Sequence, residues 1–146
     1  FTAEDFAHSH PGGRLGRRLL LRIEDLMHTG EAIPRVGPET PMAEALLEMT
    51  HKGLGMTAVT DDDAQLIGIF TDGDLRRALD EGVDVHNTLI REVMTAAPRA
   101  VESDRLAAEA LALMERHSIN ALLVTGADGR LAGALNMHDL LRAGVV

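Results

Sequence analysis

The chain repeats itself, and that duplication constrains the fold more than any single motif does. Ile23-Glu24-Asp25-Leu26-Met27 returns as Ile90-Arg91-Glu92-Val93-Met94, and from Ala45 to Leu79 a second copy aligns without a gap 65 positions later. Roughly a third of the aligned positions are identical, among them Ala45/Ala110, Leu46/Leu111, Met49/Met114, Val59/Val124, Gly68/Gly133, Asp74/Asp139 and Leu75/Leu140. Copies of about 60 residues bury too little surface to be dependable folders alone. They are expected to pack on each other about a pseudo-two-fold axis.

Within a copy the elements follow from periodicity. Thr40-Pro41 predicts a helix cap followed by a proline in the first turn. Met42, Ala45, Leu46 and Met49 then fall at i, i+3, i+4 and i+7, the stripe of an amphipathic helix, with Gly53 as its stop. Met56-Thr57-Ala58-Val59-Thr60 and Leu66-Ile67-Gly68-Ile69-Phe70 read as a strand pair turning through Asp61-Asp62-Asp63-Ala64-Gln65. A helix is expected from near Asp72 to about Gly82. The second copy follows suit: a Ser103-Asp104 cap, a helix carrying Ala107, Ala110, Leu111 and Met114, a hairpin around Ala127-Asp128-Gly129-Arg130, and a last helix from near Met137. Short extra strands are expected at Arg35-Val36 and Ala100-Val101. The predicted class is α/β (α+β), each copy β-α-β-β-α, with residues 1–22 a linker, 23–82 the first repeat and 83–146 the second.

Composition narrows function mainly by exclusion. A formal net charge of −9 argues against nucleic-acid binding, which wants a basic face, and three phenylalanines without tryptophan or tyrosine offer no base-stacking platform. No apolar run reaches the ~18 residues of a membrane span, and nothing resembles a signal peptide. Without cysteine there is no disulfide framework. A cytoplasmic location is expected. The seven histidines, at positions 8, 10, 28, 51, 86, 117 and 138, show no metal-ligand spacing. The chain opens on Phe1, which reads as a fragment cut from a longer protein.

The stretch that carries chemistry is Gly68-Ile69-Phe70-Thr71-Asp72-Gly73-Asp74-Leu75-Arg76-Arg77, a buried strand running into a helix start. Unpaired backbone N–H groups and the helix dipole favour a phosphate there. Asp74 could accept hydrogen bonds from ribose hydroxyls, Thr71 could donate to ribose or phosphate, and Arg76 or Arg77 could neutralise the phosphate. Thr71-x-x-Asp74 is equally a capping box with no ligand at all. In the second copy Asn136 replaces the threonine, Asp139 is kept, Met137 and His138 stand between them, and Leu141 takes the place of Arg76. The two junctions are therefore expected to be unequal.

The order, spacing and duplication of these elements resemble the tandem cystathionine-β-synthase (CBS) domain pair over about residues 23–146. The matching pieces are Asp25-Leu26-Met27 and Glu92-Val93-Met94-Thr95, the Asp63 and Asp128 turns, and the Gly-x-h-[ST]-x-x-[DH] pattern running from Gly68 to Asp74. The resemblance implies a regulatory module that binds an adenosine-containing or other nucleotide between its copies. It implies a base lying against Met56, Thr57 and Ala58 and near Met27, His28 and Thr29, with Asn136 and Asp139 as the second, weaker site. It also implies a homodimer, for which helix faces at Leu75/Leu79 and Leu140/Leu141 are candidates.

A narrower resemblance lies at the start of the chain. Ser9-His10-Pro11-Gly12-Gly13, then Leu15-Gly16-Arg17-Arg18-Leu19-Leu20-Leu21-Arg22, then Asp25-Leu26-Met27-His28-Thr29-Gly30 is similar to the domain junction of bacterial D-arabinose 5-phosphate isomerases. In that family a sugar-isomerase domain precedes a CBS pair. The resemblance implies a parent, a dimer or a tetramer, that interconverts ribulose 5-phosphate and arabinose 5-phosphate on the way to the lipopolysaccharide sugar Kdo. It implies an attached isomerase domain as partner, with His10 at the border of that domain's active site. No catalysis is expected from this chain alone. Pathway logic makes the nucleotide sugar CMP-Kdo a candidate effector, with Arg76, Arg77, Arg91 and Lys52 as candidate partners for its carboxylate, and AMP or ATP as the alternatives. A purely structural CBS pair that assembles oligomers, or an adenosine-nucleotide sensor on another enzyme, are the competing readings.

Overall fold

Residues 20–145 are described by a computed structural model. The first repeat runs α1 (Ile23–Leu26), a 3-10 turn (Gly30–Ala32), β1 (Arg35–Val36), α2 (Met42–Lys52), β2 (Met56–Thr60), β3 (Leu66–Thr71) and α3 (Asp72–Asp80). The second runs α4 (Ile90–Val93), β4 (Thr95–Ala96), β5 (Ala100–Glu102), α5 (Ala107–His117), β6 (Ala121–Thr125), β7 (Leu131–Asn136) and α6 (Met137–Arg142). After its opening helix the first repeat keeps the expected β-α-β-β-α order, whereas the second places one additional strand, β4, ahead of it, and that strand pairs with β3 of the first repeat. Serine and histidine at positions 9 and 10, and the rest of the linker up to residue 19, lie outside the described residues.

One sheet has the order β1-β2-β3-β4 and the other β5-β6-β7, with β1 parallel to β2, β5 parallel to β6, and both hairpins antiparallel. The central strands are buried on both faces, so they read as continuous apolar runs rather than alternating ones. Period two still sorts them. Met56, Ala58 and Ile69 meet Leu123, Leu131 and Ala134 in a cluster between the sheets. Val59 and Phe70 pack under the helices of the first repeat, and Leu122, Val124 and Leu135 under those of the second. The two hairpin turns also touch, through a bridge between Gln65 and Arg130.

The short opening helices cross over. Ile23, fully buried, belongs to the second repeat's core with Ala107, Ala110 and Met114, whereas Ile90 belongs to the first repeat's core with Met42, Ala45 and Met49. The methionine that ends each opening segment seats on the other repeat's strand glycine. A Cβ at Gly133 would lie 2.5 Å from Met27 Sδ, and one at Gly68 would collide with Met94 Sδ. Both glycines are therefore required by close approach rather than by backbone conformation.

This crossover also corrects the expected helix caps. α2 begins after Pro41, not after a Thr40 cap, and α5 begins after Leu106, not after Ser103-Asp104. The first N–H groups of α2 donate to Thr88 O (2.7 Å) and Val85 O (3.1 Å), and Ala107 N–H donates to Leu21 O (2.8 Å). In return Ile90 N–H donates to Thr40 O and Ile23 N–H to Arg105 O, each at 2.8 Å. Backbone carbonyls supplied from a distance thus satisfy donors that a local side chain was expected to take. A second correction concerns the expected dimer faces: Leu140 is fully buried and Leu75 packs on the first repeat's core, leaving Leu79 and Leu141 exposed. Among the described residues no helix is long and apolar enough to cross a membrane.

Candidate functional site

At the β3–α3 junction both halves of a capping box are formed. Thr71 is the N-cap, and Asp74 N–H donates to Thr71 Oγ1 at 3.3 Å. Asp74 Oδ2 accepts from Thr71 N–H at 2.9 Å and from the Thr71 hydroxyl at 3.1 Å. Asp74 Oδ1 accepts from the Thr95 hydroxyl at 2.9 Å and from the Arg77 guanidinium. A carboxylate offers about four acceptor positions, and all are used although only 5% of Asp74 is exposed. The capping reading of the motif is thus realised in full, and it includes a donor from the other repeat.

The β7–α6 junction copies this with different partners. Asn136 caps α6, Asp139 N–H donates to Asn136 Oδ1 at 3.0 Å, and Asp139 Oδ2 accepts from Asn136 N–H at 2.8 Å. Asp139 Oδ1 accepts from His28 Nε2 at 2.9 Å and faces Arg142 at 3.8 Å. His28 therefore stands where Thr95 stands at the first junction. Both come from the other repeat, as the crossover requires.

A cleft of about 1050 Å³ opens at the first junction. One wall is the start of α3, with Thr71, Asp72, Gly73, Asp74, Arg76 and Arg77, and the approach to β2 at Leu54 and Gly55. The rest comes from the second repeat: Thr95, Ala97, Pro98 and Arg99, then Ser118 to Ala121 between α5 and β6, then Asn136, Met137 and His138. Arg76 and Arg99 have no ion pair among the described residues, while Arg77 is engaged with Asp74. In a chain of net charge −9 this is a locally cationic concavity. Partial burial, and then the charges of Arg99 and Arg116, hold the His117 imidazole below its ordinary value of 6.5.

The structure brings together only part of the expected set. Thr71, Asp74, Arg76, Arg77 and Asn136 line the cleft. Met56, Thr57 and Ala58 do not; all three are fully buried, and Met56 and Ala58 belong to the cluster between the sheets. Met27, His28 and Thr29 do not line it either, because the crossover carries them to the second repeat, where His28 meets Asp139. Arg91 pairs with Glu39 at 3.2 Å and Lys52 with Glu48 at 3.4 Å, both away from the cleft lining. Sequence reading missed Thr95 and Arg99, and also the Ser118 to Ala121 wall. The available signal was the repeat itself: once the opening segments are exchanged, the partner of the first junction is the opening of the second copy. Among the described residues no group of three or more His, Asp or Glu could hold a metal ion.

Known proteins align with this arrangement. The family model for the CBS domain matches residues 23–81 and 90–146. The arabinose 5-phosphate isomerase KdsD of Pseudomonas aeruginosa is 62% identical over all 146 residues, which make up 45% of that protein. The arabinose 5-phosphate isomerase KdsD of Escherichia coli is 56% identical over the same span, 44% of its length. The chain thus spans less than half the length of these curated relatives. Among solved structures, CBSX2 in complex with AMP superposes with a TM-score of 0.73 at 25% identity, covering 86% of this chain and 96% of that one. An uncharacterised conserved protein from Pyrococcus horikoshii gives 0.76 at 26% identity, covering 86% and 92%.

Proposed function

We propose that this chain, which belongs to the CBS-domain family, is the regulatory nucleotide-binding module of a D-arabinose 5-phosphate isomerase and reads an effector in the cleft at Thr71 and Asp74. The observation that carries this reading is the meeting, in one cavity of about 1050 Å³, of a helix start, two arginines without ion pairs and walls from both repeats. Such a space accommodates a nucleotide, and its polar groups suit phosphate and hydroxyls. The phosphate would take the α3 N–H groups and Arg76. The ribose hydroxyls would take Asp74, displacing the Arg77 or Thr95 donor that now occupies it. The bound AMP of the CBSX2 structure supports a nucleotide in a fold of this kind.

The identity of the relatives supports an isomerase parent, with a sugar-isomerase domain preceding this chain and acting on ribulose 5-phosphate and arabinose 5-phosphate in the cytoplasm. Feedback by CMP-Kdo, the nucleotide sugar at the end of such a route, fits a cleft with more than one cation; AMP or ATP is the alternative effector. The exposed Leu47, Leu79 and Leu141 support a homodimer through helix faces. Site residues 27–29 and 56–58 have no part in this cleft, and the Asn136/Asp139 junction would contribute mainly through Asn136 at its edge.

The fully satisfied Asp74 favours one competing reading, a purely structural pair whose capping boxes bind nothing. Thermal unfolding with CMP-Kdo, CMP, AMP and ATP separates the two. A ligand that binds the folded state raises the midpoint with concentration. No shift with any of the four leaves the structural reading.

A further inference from the structure

We infer that Arg99 forms a second anion subsite in the cleft, so that the module prefers a nucleotide bearing another anionic group beyond its first phosphate. This rests on the nucleotide reading above and goes further by naming the residue that sets ligand class. Arg99 sits in the connection between β4 (Thr95–Ala96) and β5 (Ala100–Glu102), held by a strand on either side. Ala97 opens that connection at φ 49°, a left-handed conformation alanine adopts only at an energetic cost. Pro98 then restricts the backbone just before the arginine. Its backbone is therefore placed before any ligand arrives.

Three further observations point to a ligand group rather than to a surface charge. Acidic residues outnumber lysine and arginine by 23 to 14, yet Arg99 has no acidic partner among the described residues. Arg77 is committed to Asp74, Arg91 to Glu39 and Lys52 to Glu48, and of the arginines without an ion pair among the described residues only Arg76 and Arg99 line the cleft. The repeat also makes the feature one-sided. Aligning Val36 with Val101, the strand entries, sets Pro34 opposite Arg99, and Pro34 is buried. The opening of the first repeat is longer and holds the 3-10 turn at Gly30–Ala32, so the cation belongs to one junction only.

With Arg76 and the α3 N–H groups on one wall and Arg99 on the other repeat, the cleft has two cationic positions on different elements. A guanidinium takes a carboxylate or a phosphate through paired N–H donors. The neutral Ser118 and Asn120 in the same lining suit hydroxyls lying between two anions.

The test is isothermal titration of the 146-residue chain, with Arg99→Gln and Arg99→Lys, against CMP, CDP and CMP-Kdo. The wild type is expected to bind CDP or CMP-Kdo about tenfold or more tightly than CMP. Arg99→Gln should remove that advantage, lowering affinity for CDP or CMP-Kdo about fivefold or more beyond any loss for CMP, and Arg99→Lys should recover part of it. An advantage for CMP-Kdo alone assigns the subsite to a carboxylate, and one for CDP alone to a phosphate. Equal affinities in the wild type, or an equal loss for all three in Arg99→Gln, would overturn the inference and leave nucleotide binding standing. No heat with any of these three, nor with AMP and ATP titrated in the same way, would overturn both.

Discussion

The Thr95 hydroxyl donates to Asp74 Oδ1 at 2.9 Å, joining residues 21 positions apart across the boundary between the repeats. The bond occupies an acceptor that a ribose diol needs. On the proposed binding mode, ligand entry and loosening of this tie are coupled. Thr95→Val is expected to cost about 1 kcal/mol in urea unfolding, the usual net worth of a hydrogen bond. Nucleotide affinity should rise severalfold, because the incoming hydroxyl no longer competes. A lower affinity in Thr95→Val would show that the threonine serves the ligand directly.

His28 plays the matching part at the second junction, 2.9 Å from a nearly buried Asp139. His28→Ala leaves that carboxylate short of a partner and is expected to cost about 1–3 kcal/mol. Since His28 does not line the cleft, nucleotide affinity should change by no more than about twofold. A large loss of binding would mean that the second junction carries the site.

The crossover has its own test. Ile23 is fully buried in the second repeat's core, so Ile23→Ala should cost about 2–5 kcal/mol. The damage should appear across the boundary. Hydrogen exchange should quicken in α5, β6 and β7 rather than in α2, β2 and β3, and Ile90→Ala should give the reverse pattern. Faster exchange confined to the mutated residue's own repeat would contradict the crossed packing.

These relationships show what was legible in the sequence. Strands, long helices and the duplication were readable, because apolar period and turn residues are local: the Ala45/Ala110 and Met49/Met114 stripes fall on α2 and α5. The junction residues Thr71, Asp74, Asn136 and Asp139 were readable for the same reason, as cap and N3 positions of a helix. The partners were not. Thr95, His28, Met27 and Met94 meet residues of the other repeat, and nothing in local spacing says that the opening segments are exchanged. The helix caps failed likewise, since Thr88 O and Leu21 O are non-local acceptors. Arg99 was hidden because it lies in an irregular connection, where no periodicity marks a wall.

The loop that supplies carbonyls to α2 is itself held by Asp84. Its carboxylate accepts from the Asn87 side chain at 2.6 Å and from His86 N–H at 3.1 Å. The Asn87 hydrogen bond first, then the His86 N–H, hold Asp84 below its ordinary value of 3.8. A carboxyl lowered in the folded state contributes stability above its unfolded value and loses it as pH falls through the folded one. Asp84→Asn should therefore be less stable than wild type near neutral pH, with the gap closing as pH drops below 3.8. A gap unchanged between about pH 7 and about pH 2.5 would remove Asp84 from that role.

The central claim is that a nucleotide occupies the cleft at Thr71 and Asp74, and amide chemical shifts report its place without altering the protein. Titration of the isotopically labelled chain with CMP-Kdo, and separately with AMP, should move the amides of residues 71–77, 95–97, 99 and 118–121 most, with saturation by at least one of them. Absence of saturable change with either nucleotide, or changes centred on His28 and Asp139 instead, would contradict it.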